Sequence, residues 1–211
     1  MIQPKPFDQL VAADPLVPVQ EAIVATLRTL LPGVSIEAHP GKVDLSELIS
    51  KSVATAPGIG IGWSRIRRAA VLDGSFGAAV EWVAYIIAEP KIVAGRRVEK
   101  EVVGAAIGGQ LLRILSDDTA CFWGRTGILP PPRDVAPELK PFFTIKDAAQ
   151  QTAYYVVTWT QTIADIGATH FPTATGRTDP EHGTIDYADQ DAIDAIARFL
   201  PALEVSEDGD A

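Results

Sequence analysis

The stretch Gly58-Ile-Gly-Ile-Gly62 has the composition of a phosphate-binding turn. Such a turn needs a strand before it and a helix N-terminus after it, so that backbone N–H groups point at the phosphate. Here Trp63-Ser-Arg-Ile-Arg67 continues as strand, the third glycine lacks the required spacing, and no Lys-Ser or Lys-Thr follows. The pattern reads as a glycine-bearing strand that admits a neighbouring backbone or a bulky side chain. Ser75 sits in Gly-Ser-Phe-Gly rather than in a Gly-x-Ser-x-Gly elbow, and reads as turn chemistry. Cys121 has the type of a nucleophile that a distant histidine would activate. Its Ala-Cys-Phe-Trp surroundings favour a buried, inert thiol.

His182 lies among Asp179, Glu181, Asp186, Asp189 and Asp191, an oxygen-rich set of the kind that holds calcium. The central glycine and terminal glutamate of an EF-hand loop are absent, so a solvated acidic loop is the reading. Asp117-Asp118 has the types for an acid/base pair, but adjacent side chains diverge, and a helix end or turn rich in Asp accounts for them. Arg65, Arg67 and Arg68 together with Arg96 and Arg97 form a basic region suited to an acidic partner surface or DNA. Solvent-facing charge on a strand and a loop is the reading. No residue is assigned as catalytic, cofactor-binding or metal-ligating, and no enzyme activity or cofactor is expected.

Charge narrows the partners. The net charge is −9 over 211 residues, with pI about 4.8. From Asp165 to Ala211 there are 11 acids and 2 bases; from Met1 to Ala164 there are 16 of each. The body is electroneutral and the C-terminal segment carries the whole excess. Specific nucleic-acid binding is therefore not expected, whereas association between copies of the body meets no electrostatic barrier. One cysteine excludes an intrachain disulfide and a cysteine metal cluster. Met1-Ile-Gln-Pro-Lys-Pro6 does not read as a signal peptide. No stretch reads as 18 predominantly apolar residues, and the uncharged run 148–164 is rich in Gln and Thr. A cytoplasmic site of synthesis and no membrane partner are the expectations.

Any chemistry would have to be positioned by the following elements. Residues 1–17 are Pro-rich and read as an extended N-terminal arm. Val19, Ile23, Val24, Leu27, Leu30 and Leu31 predict a helix over 18–31, closed by Pro32-Gly33. A short strand is expected at 34–38 and a helix at 44–54, capped by Asp44 with Glu47. Strands at 57–73 and 78–88, joined by a turn at 73–77, predict an antiparallel hairpin. A helix is expected over 98–115, in which Gly104, Gly108 and Gly109 suggest close packing against a neighbour. A short strand at Cys121–Trp123, a Pro-rich connection at 130–141, and strands at 142–146 and 153–163 follow. Residues 165–186 read as loop, 188–200 as a short helix, and 204–211 as a disordered acidic end. The fold class is α+β, a mainly antiparallel sheet with helices packed on one face. The domains are the arm (1–17), an α+β assembly domain (18–167) and an acidic C-terminal extension with a short helix (168–211).

The layout from Pro18 to Gly167 resembles the tail terminator-like, tail-end completion proteins of tailed bacteriophages, in particular a virion group from Mu-like prophages. Four stretches carry the resemblance: Val19-Gln-Glu-Ala-Ile-Val-Ala-Thr-Leu27; Asp44-Leu-Ser-Glu-Leu48 leading into Ala56-Pro-Gly-Ile-Gly-Ile61; the hairpin followed by Gly104-Ala-Ala-Ile-Gly-Gly-Gln-Leu-Leu-Arg-Ile-Leu115; and Tyr155-Val-Val-Thr-Trp-Thr-Gln-Thr-Ile-Ala-Asp-Ile-Gly167, with its aromatic-x-Gln ending. The resemblance implies a tail-terminator-like fold and a structural virion role. Copies would form a ring, sixfold, on the head-facing end of the tail tube. The ring would stop tube growth and join a neck or head-completion protein. It implies no reaction, so no catalytic residue carries over. Residues 168–211 lie outside it. The competing readings are another phage morphogenesis or adaptor protein (a neck or baseplate component), a small-ligand-binding domain using Gly58–Gly62, and a calcium module at 179–191.

Overall fold

A computed structural model describes residues 4–41, 54–68, 77–143, 152–164, 166, 176–178 and 185–187. The chain divides into two compact units, Met1–Ala168 and Thr169–Ala211. In the first unit the order is α1 (Phe7–Ala12), α2 (Leu16–Leu30), β1 (Ser35–Ala38), β2 (Gly58–Arg68), β3 (Ala78–Ala88), β4 (Lys91–Val93), β5 (Arg96–Val98) and α3 (Lys100–Leu115). A 3₁₀ turn (Ala120–Phe122), β6 (Glu138–Phe143) and β7 (Ala153–Ile163) complete it. In the second unit β8 (Gly176–Thr178) and β9 (Ile185–Tyr187) form an antiparallel pair, inside what reads from sequence as loop.

The class is α+β, built on one five-stranded sheet of order β1-β2-β3-β7-β6. The sheet is mixed, which corrects the expectation of a mainly antiparallel one. β1 runs parallel to β2, with Ile36 beside Ile59. Parallel neighbours need a crossover of roughly a dozen residues or more, and residues 39–57 supply it. β3 lies at the centre and its second half is buried on both faces, which explains its unbroken apolar run from Trp82.

The two faces differ. On one, Ile59, Ile61, Trp82, Ala84, Ile86, Val157 and Trp159 pack against α2 (Val19, Ile23, Leu27) and α3 (Ile107, Leu111, Ile114) in the main core. On the other, Val83, Tyr85, Ile87, Tyr154 and Val156 form a smaller cluster with Ala54. The expected helix at 44–54 and turn at 73–77 fall on residues outside the description, apart from Ala54, which is not helical, and Gly77, which directly precedes β3. Likewise residues 188–211 are outside it.

Several boundaries move for identifiable reasons. The part of the expected 1–17 arm that is described, residues 4–17, is not extended throughout. It contains α1, and α2 starts at Leu16, because the Asp14 carboxylate accepts hydrogen bonds from the Leu16 and Val17 N–H groups (3.2 and 3.0 Å). By length and composition the stretch Phe7–Leu30 passes for a membrane span, contrary to expectation. It is broken at 13–15, however, and α2 buries Val19, Ile23, Val24 and Leu27 in the core. Val98 belongs to β5, not to the helix. β4 and β5 form a hairpin turned by Ala94 and Gly95, both at positive φ (49° and 76°), the backbone of a two-residue primed turn. Cys121 sits in a 3₁₀ turn rather than a strand, because Asp117 caps the Thr119 and Ala120 N–H groups (2.9 and 2.7 Å). β6 starts at Glu138 and absorbs Pro141, which an edge strand tolerates because its outward side needs no donor.

Helix α3 lies close on the sheet. A Cβ on Gly104 would strike the Tyr155 ring, and one on Gly108 would strike Leu139. Gly109 points into open space. The neighbour that the small residues admit is the chain's own sheet. Gly109→Ala should therefore stabilise the protein by about 0.5–1 kcal/mol through helix propensity. Gly104→Ala should destabilise it by about 1–2 kcal/mol, since overpacking at roughly 1–3 kcal/mol outweighs the same gain. Urea unfolding reads both, and equal stabilisation by the two would contradict this packing.

Candidate functional site

β7 alternates between the faces, so Val157, Trp159, Gln161 and Ile163 all point toward the helices. Gln161 is 1% exposed. Its Oε1 accepts hydrogen bonds from Trp123 Nε1 (2.8 Å) and Trp159 Nε1 (3.1 Å). Its Nε2 donates to the carbonyls of Cys121 (2.8 Å) and Leu129 (3.1 Å). The primary amide is thus saturated, two donated and two accepted. Leu129 N donates to Thr162 O, and Ala164 N to Gly127 O (2.9 and 2.7 Å). The segment 120–129 is therefore stapled along the end of β7. Trp123, held at φ 56°, stacks obliquely on Trp159 at 6.3 Å between centroids.

A second buried amide does the same work beside α2. Gln20 Nε2 donates to the carbonyls of His39 (2.6 Å) and Ile61 (2.7 Å), tying the helix to the crossover and to β2. Both amides serve architecture.

The residues singled out for chemistry are dispersed. Gly58 and Gly62 lie inside β2 with no helix after them. A Cβ on Gly58 would meet Thr55 O, and one on Gly62 would meet Gly41 O at 2.7 Å. These glycines admit backbone, not phosphate. Cys121 is buried, and burial followed by the carboxylates of Asp118 and Asp117 pushes its thiol up, away from thiolate. Asp117 is held below the usual carboxylate range by the Ala120 and Thr119 N–H groups it caps. Ser75 and the side chains of the 179–191 acidic set lie outside the described residues. Among the described residues no three His, Cys, Asp or Glu side chains converge on a metal position.

The basic region does not come together. A bulge at Ser64 shifts the β2–β3 register between Trp63 and Arg65. Trp63 faces Trp82 on the helix side; past the bulge Arg65 faces Glu81 on the opposite side. Glu81 accepts from Ser64 Oγ (2.7 Å), Arg65 (2.5 Å) and Arg67 (3.5 Å). The Ser64 hydroxyl and the Arg65 guanidinium hold its carboxyl below the ordinary glutamate value. These groups border a groove of about 300 Å³ with Glu138, Thr158 and Thr160. Arg96 and Arg97 instead sit on the β4–β5 hairpin, beyond the far end of β3, and Arg97 pairs with Glu99 (2.9 Å).

Sequence reasoning missed two exposed apolar elements. In α1 no residue is buried, and Phe7, Leu10 and Val11 are 80%, 54% and 59% exposed. On the β4–β5 hairpin Ile92 and Val93 are 80% and 56% exposed. A larger groove, about 630 Å³, opens where the N-terminus of α2 meets the 125–128 loop and the end of β7. The i, i+3, i+4 spacing of Phe7, Leu10 and Val11 was the available signal for α1. The aromatic-x-Gln string at an inward strand position was the signal for Gln161. No protein-family model and no curated protein matches the chain.

The Gln161 amide yields a prediction. Gln161→Leu orphans two indole N–H groups and two carbonyls at about 1–3 kcal/mol each, less what relaxation recovers. A loss of about 3–5 kcal/mol is expected in urea unfolding. Thr160→Val, one residue away on the other face, should stay within about 0.5 kcal/mol. Similar small effects from both would refute the staple.

Proposed function

We propose that the chain is a structural, non-enzymatic assembly protein that works by associating with copies of itself. The observation that carries this reading is the pair of apolar elements, α1 and the β4–β5 hairpin, that stand on the surface of an electroneutral body. Contiguous exposed apolar surface on a folded domain marks an interaction site, and a body of zero net charge does not repel its own copies. The polar groups Gln20 and Gln161, both buried, and Asp117, exposed, support it too. Gln20, Gln161 and Asp117 spend their hydrogen-bonding capacity on holding backbone segments in place.

The setting comes from the sequence resemblance. In this reading copies close into a ring, sixfold, at the head-facing end of a phage tail tube. The ring ends tube growth and presents a surface to the neck or head-completion protein, so the protein is made in the host bacterial cytoplasm and ends in the virion. A head-to-tail contact whose rotation closes gives such a ring. The tail-terminator-like fold belongs to the same proposal.

Negative-stain electron microscopy of particles assembled with and without this protein tests the role. The expected outcome is overlong or headless tails in its absence. Tails of normal length joined to heads would overturn it.

A further inference from the structure

Helix α1 presents Phe7, Leu10 and Val11 on one exposed stripe that no described residue covers. The 630 Å³ groove begins immediately after it, at Ala13, Asp14 and Pro15, yet no α1 residue lines that groove. Its walls are mixed: Pro18, Val19, Ile128, Ile163 and Ile166 stand beside Asp14, Arg125 and Thr126. Helix and groove are therefore two unfilled halves of a contact, joined by a short segment that holds them apart within one chain. The charges match as well. The single charged residue in α1 is Asp8, and Arg125 stands at the groove. Both are exposed, and neither side chain has an ion-pair partner among the described residues.

We propose that the α1 helix of a second copy of this chain occupies this groove, with Phe7, Leu10 and Val11 against its proline and isoleucine side chains and Asp8 facing Arg125. The proposal rests on the self-association reading and deepens it. A membrane surface is a poorer occupant, because helices that lie on anionic lipid carry Lys or Arg on the polar face, whereas α1 carries Asp8 and Gln9. One short helix covers less than the roughly 1,200–2,000 Å² of a stable interface. It acts as one anchor of a larger contact.

Mixed-chain cross-linking tests this on the full chain. A Leu10→Cys chain labelled with ¹⁵N is mixed with an unlabelled Ile166→Cys chain and oxidised. Mass spectrometry then counts the labelled–unlabelled disulfide dimer, which forms only between chains. The control pair is Leu10→Cys with Thr160→Cys, on the opposite face. The cysteine at position 10 replaces an exposed residue, so loss of folding does not confound the result. The expected yield is at least tenfold above the control. Asp8→Arg and Arg125→Asp should each lower it several-fold, and combining them should restore it. The mass of the unaltered chain is measured in parallel. An oligomer whose Leu10–Ile166 yield does not exceed the control overturns the groove assignment while leaving self-association standing. A monomer at every concentration overturns both. Co-sedimentation with phosphatidylserine vesicles without the cross-link assigns α1 to a membrane and overturns the proposal.

Discussion

Two indole N–H groups, from Trp123 and Trp159, converge on one carbonyl oxygen, Gln161 Oε1, and the amide nitrogen of the same side chain holds two backbone carbonyls. A buried amide left unsatisfied costs a few kcal/mol, comparable to a large fraction of a domain's stability. Gln161 therefore fixes the path of residues 120–129. That path puts Cys121, Trp123 and Ile128 into the core and sets Arg125 and Gly127 at the wall of the large groove. The closing of the core and the shape of the surface beside α2 depend on the same side chain.

Two smaller constraints divide the sheet. The bulge at Ser64 turns Arg65 and Arg67 away from the helices, so β2 contributes apolar packing at one end and an ion cluster at the other. The glycines of β2 and α3 bring backbone or helix closer than any side chain would permit. Together they make the helical face a dense core. The opposite face is left with the Val83–Tyr85 cluster and an open, polar end around Glu81 and Thr160.

Elements with sustained periodicity were legible in the sequence. α2, α3 and β7 each bury a regular stripe, and the β2–β3 hairpin follows from the alternation of β2 and the apolar run of β3 on either side of a turn signal. What was illegible depends on partners far along the chain or on no partner at all. α1 buries nothing, and the prolines around it, Pro4, Pro6 and Pro15, outweigh the Phe7, Leu10 and Val11 spacing and read as irregular. The β4–β5 strands have three residues each, too few to show alternation. Pro141 argues against a strand unless the strand is known to be an edge. The parallel β1–β2 pairing is set by a crossover rather than by either strand's own residues. Cys121 sits in an apolar string that suits a strand, but the Asp117 cap winds it into a turn. Of the candidate site, the close backbone packing at Gly58 and Gly62 and the burial of Cys121 were legible, whereas the groove was not, because it joins residues from three separated segments.

In the proposed role, the exposed apolar elements of a neutral, well-packed body meet another copy of the same chain. Sedimentation equilibrium of the full chain over a range of protein concentrations tests that most directly. The account requires one closed species at a fixed multiple of 22.5 kDa that persists on dilution. A single 22.5 kDa monomer throughout the range would contradict it.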